Sequence, residues 1–581
     1  MNYRKLSPAE ISQLERQGCS SPDWGLLDVA EPFDAGRYRN VRFIGKVSLA
    51  PAQGVKCFIP GVPQQTGIYD ATVADCTIGR DVFIHGVRGA LVNLDIEDDV
   101  RIESVFSITC EGETSFGNGV RVSVLSETGG REVSINTELS APVAYMEALY
   151  RHNARLSHRL AEMSDKFAES RRSTRAGIGR GSDIANCGMI LNVDIQGKCK
   201  IHNAPRLKNG TIRNATVGAE VVASDFIIMD GARVEAAALV KHSFVGQAST
   251  LSSLFSAHDS LFFCNCHLEN GESAATFAGP FTNSMHKSTL LIGGIFSFFN
   301  AGSGTNQSNH MYKLGPVHWG ILERGVKTSS DSYLMLGAKI GAFSLLMGQH
   351  KTHPDSSQFP FSYLFGDEKG ATVVVPGVML RSCGLLRDEK KWPTRDRRLK
   401  RRLPLHDRIV FDVLNPLTVD KMLSASDVIE RLLARPADDD RFIRYRGMKF
   451  TRAALERARY LYELAIYKYL SKFGDAVFGD TAEPEGEADE WVDIAGLPMT
   501  RRDLQRAMEA RSVGELEGAF EEAFENFGRL ESRWIARRFP ERWRRNPEVI
   551  ADYAREFDRM VEEDRTRYLD DLTAQNEMLA L

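Results

Sequence analysis

Seven of the thirteen histidines, His258, His267, His286, His310, His318, His350 and His353, fall within one stretch of fewer than a hundred residues. Imidazole titrates near neutrality, so a histidine beside a hydroxyl or amine can take its proton as that atom attacks an electrophile. Inside this stretch, Ser273–Tyr312 carries a single formal charge, Lys287, in a chain that is 26% charged. Its polarity comes from hydroxyls, amides, glycines and histidines. Such a run reads as a buried pocket wall, able to hydrogen-bond a neutral or anionic ligand at modest desolvation cost. His310 and His286 are the candidate general bases. Asn306 and Asn309 would donate to substrate or to a developing oxyanion, and Gly302 and Gly304 would let the backbone approach a ligand closely. Asn283, Asn300, Gln307 and His318 complete the expected substrate-binding set. Lys287, Lys313, Arg324 and Lys327 form a basic rim suited to phosphate groups.

The elements that must position these residues have a period. Ile78, Ile84, Ala90, Ile96, Ile102 and Ile108 lie six apart, and a second array runs Ile195, Ile201, Leu207 and, after a phase slip, Val222, Ile228, Val234 and Val240. Six residues fit neither a lone helix nor a flat sheet. They fit a triangular coil in which each short strand sends one aliphatic side chain to the axis and then turns. The expected class is mainly β, a parallel β-helix with an inserted helical arm and a C-terminal α-helical region.

The arrays resemble those of the left-handed parallel β-helix superfamily, the trimeric hexapeptide-repeat acyltransferases and sugar nucleotidyltransferase-associated domains, which implies a left-handed coil. The segment GPFTNSMHKSTLLIGGIFSFFNAGSGTNQSNHMYKLGPVHWG, with FSYLFGDE and the helical tail, is similar to a large bacterial family of that fold, DUF4954, over most of the chain. The superfamily resemblance implies a homotrimer that transfers an acyl group from a coenzyme A thioester (acetyl-CoA) to a sugar or nucleotide-sugar through a histidine base. A second implied chemistry is that of gamma-class carbonic anhydrases, which hold zinc with three histidines. Here His350, His353 and Asp355 offer an HxxHxD pattern, with CNCH at 264–267 nearby, although these spacings differ from that family's. A third reading is a non-catalytic sugar-nucleotide-binding or scaffold protein. The GxGxR loop of sugar nucleotidyltransferases is absent from this sequence, as are a P-loop and a GxSxG elbow.

The domain reading is a helical or extended lead-in over 1–40 with a Ser7–Glu10 capping box, first coils over 41–140, and the arm over 141–180. Second coils follow over 181–386, a basic linker over 387–415 and helices over 416–581. Residues 387–402 hold nine basic and three acidic side chains and read as a solvated linker, or a saddle for an acidic partner, ahead of nucleic-acid binding. Net charge of −4 and pI near 6.4 give no global preference for nucleic acid or anionic membrane. No apolar run reaches the roughly 18 residues of a membrane helix. Nine scattered cysteines suggest reduced thiols, hence a cytoplasmic location.

Overall fold

The computed structural model describes residues 2–308, 319–436, 441–473, 488–539 and 546–579. Within them the chain is mainly β, a long parallel solenoid joined to a helical C-terminal region. Aliphatic residues climb it in register: Ile178 lies beside Ile195, and Ile212, Ile228, Val245 and Phe262 continue the column. Each step is one turn, so most turns take 17 residues and one takes 16, where three full hexads would need 18. The shortfall shifts the phase. Leu91 and Ala223 face the axis at 0% and 1% exposure, whereas the expected Ala90 and Val222 are only half-buried. Asn192, Asn209, Asp225, His242 and Asp259 recur at one corner with positive φ, a conformation that Asn and Asp adopt more readily than most residues.

The charge-free run is mostly solenoid interior. Ser273, Thr276, Thr282, Thr289, Thr305 and Gln307 are each at most 1% exposed. Three of the threonine hydroxyls are spent on the coil itself: Thr276 donates to Leu291 O at 2.6 Å, Thr282 to Gly279 O at 2.8 Å and Thr305 to Gly302 O at 2.7 Å. Charge is excluded here because an ionised side chain on the axis would have no solvent. The expected pocket wall is corrected accordingly, and only the outward-facing residues of the run can meet a ligand.

Helix α1 (Pro8–Arg16) opens with the expected capping box, Ser7 with Glu10, and buries Leu14 against the first turns. Ile96 pairs directly with Ile178, and Ile108 with Ile190. The intervening residues therefore leave the solenoid and return without breaking it. This insertion is a hairpin, Val120–Ser123 with Glu132–Ile135, and two helices, α2 (Ala141–Leu149) and α3 (Ala154–Ser170), rather than one long arm. Asn153 caps α3 by accepting from Leu156 N, which ends the single-helix reading.

Glu147 on α2 is buried between hairpin and α3, accepting from Ser134 N at 2.9 Å. Burial is the largest influence on it and pushes its pKa up to about 7. Its folded pKa lies above the unfolded value, so its stabilising contribution is complete below about pH 4.3 and is lost as pH rises through about 7. Glu147→Gln is expected to melt higher than wild type at pH 8 and to flatten the pH dependence between about 5 and 7. Melting curves of both proteins across that range check it, and an unchanged slope contradicts it.

The solenoid's last turns are covered by helix α6 (Pro416–Leu433), a hairpin (Ile443–Tyr445 with Met448–Phe450) and helix α7 (Arg452–Leu470). Met448 pairs with Thr372, and Tyr462 on α7 donates to Pro360 O at 2.8 Å. The expected basic linker is instead helix α4 (Cys383–Arg395), the short helix α5 (Arg397–Arg401) and an irregular stretch leading to α6. Among the described residues no helix is long and apolar enough to cross a membrane, and all nine cysteines are free.

Candidate functional site

One corner of the solenoid is built from residues of positive φ stacked turn on turn: Asn265, Phe281, Phe298, Gly325, Phe343 and Phe361. A bulky residue in this region is uncommon and costs local strain. Here the rings recover it by stacking, Phe281 on Phe298 at 5.4 Å and Phe343 on Phe361 at 5.3 Å between centroids. Gly325 interrupts the column, and a Cβ there would sit 2.2 Å from the Phe343 ring. Trp392 of α4 contacts the rings on both sides of the interruption, Phe298 at 4.9 Å and Phe343 at 6.3 Å. That contact seats α4 against the corner.

Asp396 and Arg398 complete the attachment. Both are at most 2% exposed, and Arg398 donates to Asp396 at 3.0 and 2.8 Å and to Asp407 O at 2.6 Å. Asn265 donates to Asp396 at 2.8 Å and accepts from Arg397 N at 3.0 Å. The segment that carries nine basic residues and looks like a solvated linker is thus docked on the protein's own wall.

Between that wall and α4 lies a groove of about 580 Å³. Its solenoid side is a surface column in strict register, His267, Asn283, Asn300 and Lys327, one residue per turn. Asn283 donates to Asn300 at 3.1 Å. His267 Nε2 lies 2.8 Å from Glu269 Oε1, so Nε2–H donating to that carboxylate leaves Nδ1 with the lone pair. The opposite side carries Arg387, Lys391, Arg395, Arg397 and Lys400. Asp388, the one carboxylate in the lining, pairs with Lys327 and reaches Arg387 at 3.7 Å. Lys391, Arg395 and Lys400 form no ion pair with a described carboxylate. Arg397 donates to Thr250 at 3.1 Å, and burial, reinforced by Arg401, holds its pKa below the ordinary range. Six cations facing one carboxylate give the groove an excess of positive charge, with the amides of Asn283 and Asn300 as neutral donors beside it.

The residues expected from sequence divide into groups. Asn283, Asn300 and Lys327 line the groove. His286 and Lys287 are exposed in the following turn, next to the groove-lining Met285. Asn306 faces outward in register with Tyr333 but does not line the groove. Gln307 is corrected: it points to the axis at 0% exposure, where a substrate cannot reach it. Arg324 is also buried and belongs to a different cavity. His310, Asn309, Lys313 and His318 lie outside the described residues.

The HxxHxD residues are not gathered. His350 occupies the axis column, hydrogen-bonded through Nδ1 to Thr372 at 2.9 Å, and burial pushes its pKa down to about 4. His353 is exposed, and Asp355 pairs with Arg446 at 2.9 Å. Cys264 and Cys266 are buried. Among the described residues no three His, Cys, Asp or Glu side chains converge as a metal-ligand set. His350, His353 and Asp355 therefore do not converge on one ion, and His310 and His318, the upstream histidines of the zinc reading, lie outside the described residues.

His267 belongs to the histidine cluster without being one of the expected bases, and residues 387–402 read from sequence as a linker. The missed signal is spacing, since His267, Asn283 and Asn300 are one 16- or 17-residue turn apart.

A family model described as a domain of unknown function, DUF4954, matches residues 3–433, and every groove residue lies within that span. A relative from Treponema pallidum (strain Nichols), described as an uncharacterized protein, is 24% identical over 455 residues, covering 74% of this chain. The chain spans 62% of the length of that curated relative. The solenoid, the corner and the docked basic helix are thus the structural content of a family match over most of the sequence, and the chain belongs to the DUF4954 family.

Proposed function

We propose that the groove binds a phosphate-bearing small molecule of the class of nucleotide-sugars or coenzyme A thioesters. The observation that carries this reading is the set of six cations facing one carboxylate in about 580 Å³, a volume within the usual range for ligand sites. The reaction proposed is acyl transfer to a sugar or nucleotide-sugar. His267 is the base in this scheme, since it is the imidazole lining the groove and Glu269 orients it. The acceptor hydroxyl or amine attacks the thioester carbon, Nδ1 takes its proton, and the tetrahedral intermediate expels a thiolate that receives that proton. Asn283 and Asn300 are placed to hold the acceptor.

Two measurements test it. Millimolar coenzyme A, acetyl-CoA or a uridine diphosphate sugar should raise the melting temperature, since a ligand at about a hundred times its Kd adds about 2.7 kcal/mol of apparent stability. No shift with any of them removes the reading. With a donor and acceptor in hand, His267→Asn should cut kcat by about 10²–10⁴ while leaving ligand affinity within about twofold. Undiminished turnover would remove His267 from the chemistry.

A further inference from the structure

A second cavity, of about 340 Å³, lies where the solenoid, the insertion, α6 and the hairpin Trp491–Ile494 with Leu497–Thr500 meet. Its walls are largely apolar, with Tyr145, Ile295, Ile321 and Leu417 among them. Into this setting the fold places Arg324, 2% exposed. Its Nη2 donates to Val410 O at 2.5 Å, and its guanidinium lies 4.9 Å from the Phe298 centroid. Its Nε is 3.7 Å from Asp493, too far for a hydrogen bond, and among the described residues neither Nε nor Nη1 has a hydrogen-bond partner. The indole Nε1 of Trp491, a residue 4% exposed in the same lining, is likewise without one. Three buried donors with no acceptor line one cavity, and leaving a buried donor unpaired is costly.

The charge around them limits what would satisfy them. Arg324, Lys339 and Lys421 face Glu323 and Asp493. Lys421 is committed to Glu323; Asp493 Oδ1 accepts from Gly496 N at 2.9 Å, and its Oδ2 forms an ion pair with Arg324 at 3.7 Å. One positive charge, that of the exposed Lys339, remains in excess, which matches a monoanion and not a phosphate dianion. The unpaired guanidinium N–H groups and the indole N–H in the same lining suit two carboxylate oxygens, and the apolar wall suits a hydrocarbon or ring behind them.

We propose that this second cavity binds a monocarboxylate with a short apolar body, its carboxylate accepting from Arg324 and Trp491. The site is separate from the groove and does not depend on the phosphate reading. It also draws on Trp491 and Asp493, outside the residues 3–433 that the family model matches.

The test uses the full-length chain with octanoate, octanol and octyl phosphate as probes. Trp491 is an internal reporter. Octanoate should change tryptophan emission saturably, and the change should vanish in Trp491→Phe while octanoate still raises the melting temperature. Octanol should bind about 10- to 100-fold more weakly, the factor expected for hydrogen bonds to a charged group. Arg324→Met should erase that preference. Because Arg324 also holds Val410 O, Val492→Phe, which fills the cavity with Arg324 in place, provides an independent loss of binding. The proposal is overturned if octanoate gives no saturable signal, if octanol equals it, if octyl phosphate binds more tightly, or if Val492→Phe binds as wild type does.

Discussion

Reversing two charges on the groove face of α4, Lys391→Glu with Arg395→Glu, is expected to weaken binding of coenzyme A or a nucleotide-sugar by about 100-fold or more. Two charge-assisted contacts of about 1.5–3 kcal/mol each are removed, and two repulsive charges replace them. The folded state should change little, because neither side chain pairs with a described carboxylate and Arg395 is exposed. Placing Glu near the C-terminus of α4 costs about 0.3–1 kcal/mol through the helix dipole. Lys369→Glu with Lys390→Glu is the matched control. Both lysines are exposed and outside the groove lining, so net charge changes equally. Equilibrium dialysis with labelled ligand reads the difference, and equal losses in both variants would mean that the groove has no special role.

The second large effect concerns what holds α4 in place. Asp396→Ala is expected to destabilise the protein by about 3–5 kcal/mol, the usual consequence of removing one partner of a buried ion pair. Arg398 would be left charged, 1% exposed and facing only the Asp407 carbonyl, and Asn265 would lose its acceptor. Replacing both partners, Asp396→Ala with Arg398→Met, should recover much of the loss, because no uncompensated charge stays buried. Burial opposes ionisation of Asp396, but hydrogen bonding and charge from Arg398 outweigh it, so its pKa falls below the ordinary value. A depressed pKa means that its contribution is present above the unfolded value of about 3.9 and is lost as pH falls through the folded value. The wild type should therefore lose stability on acidification below about pH 4, and the double variant should lose less. Denaturant midpoints at neutral and acid pH measure both effects. A cost under about 1 kcal/mol for Asp396→Ala would show that the pair does not anchor the helix.

Much of the fold could be read from side-chain spacing alone. Ile84, Ile102, Ile201 and Val234 are axis residues, as the hexads require. The departure at Ala90 goes with the 17-residue step from Leu91 to Ile108, and that at Val222 with the 16-residue step from Leu207 to Ala223, slips that an array of sixes absorbs without announcing them. Polarity without charge in Ser273–Tyr312 marked a real feature, but the hydroxyls of Thr276 and Thr305 serve the coil's interior carbonyls. Solvation rules out charge equally on a solenoid axis and in a pocket wall, so composition could not separate them. Asn283 and Asn300 are legible as polar residues of that run and Lys327 as part of its basic rim, while their outward-facing register shows only in the fold. The other half of the groove was hidden, because a run of arginines and lysines looks solvated unless its docking contacts are known. Trp392 against Phe298 and Asp396 with Asn265 are those contacts, and both join residues far apart in sequence.

The most direct test of the central claim is a calorimetric titration of the full-length protein with coenzyme A and with a uridine diphosphate sugar, repeated as ionic strength is raised. The groove as described predicts saturable binding of at least one of them, and an affinity that falls steeply with salt because the contacts are to phosphate charge. Binding indifferent to salt, or no binding of either ligand at low salt, would contradict it.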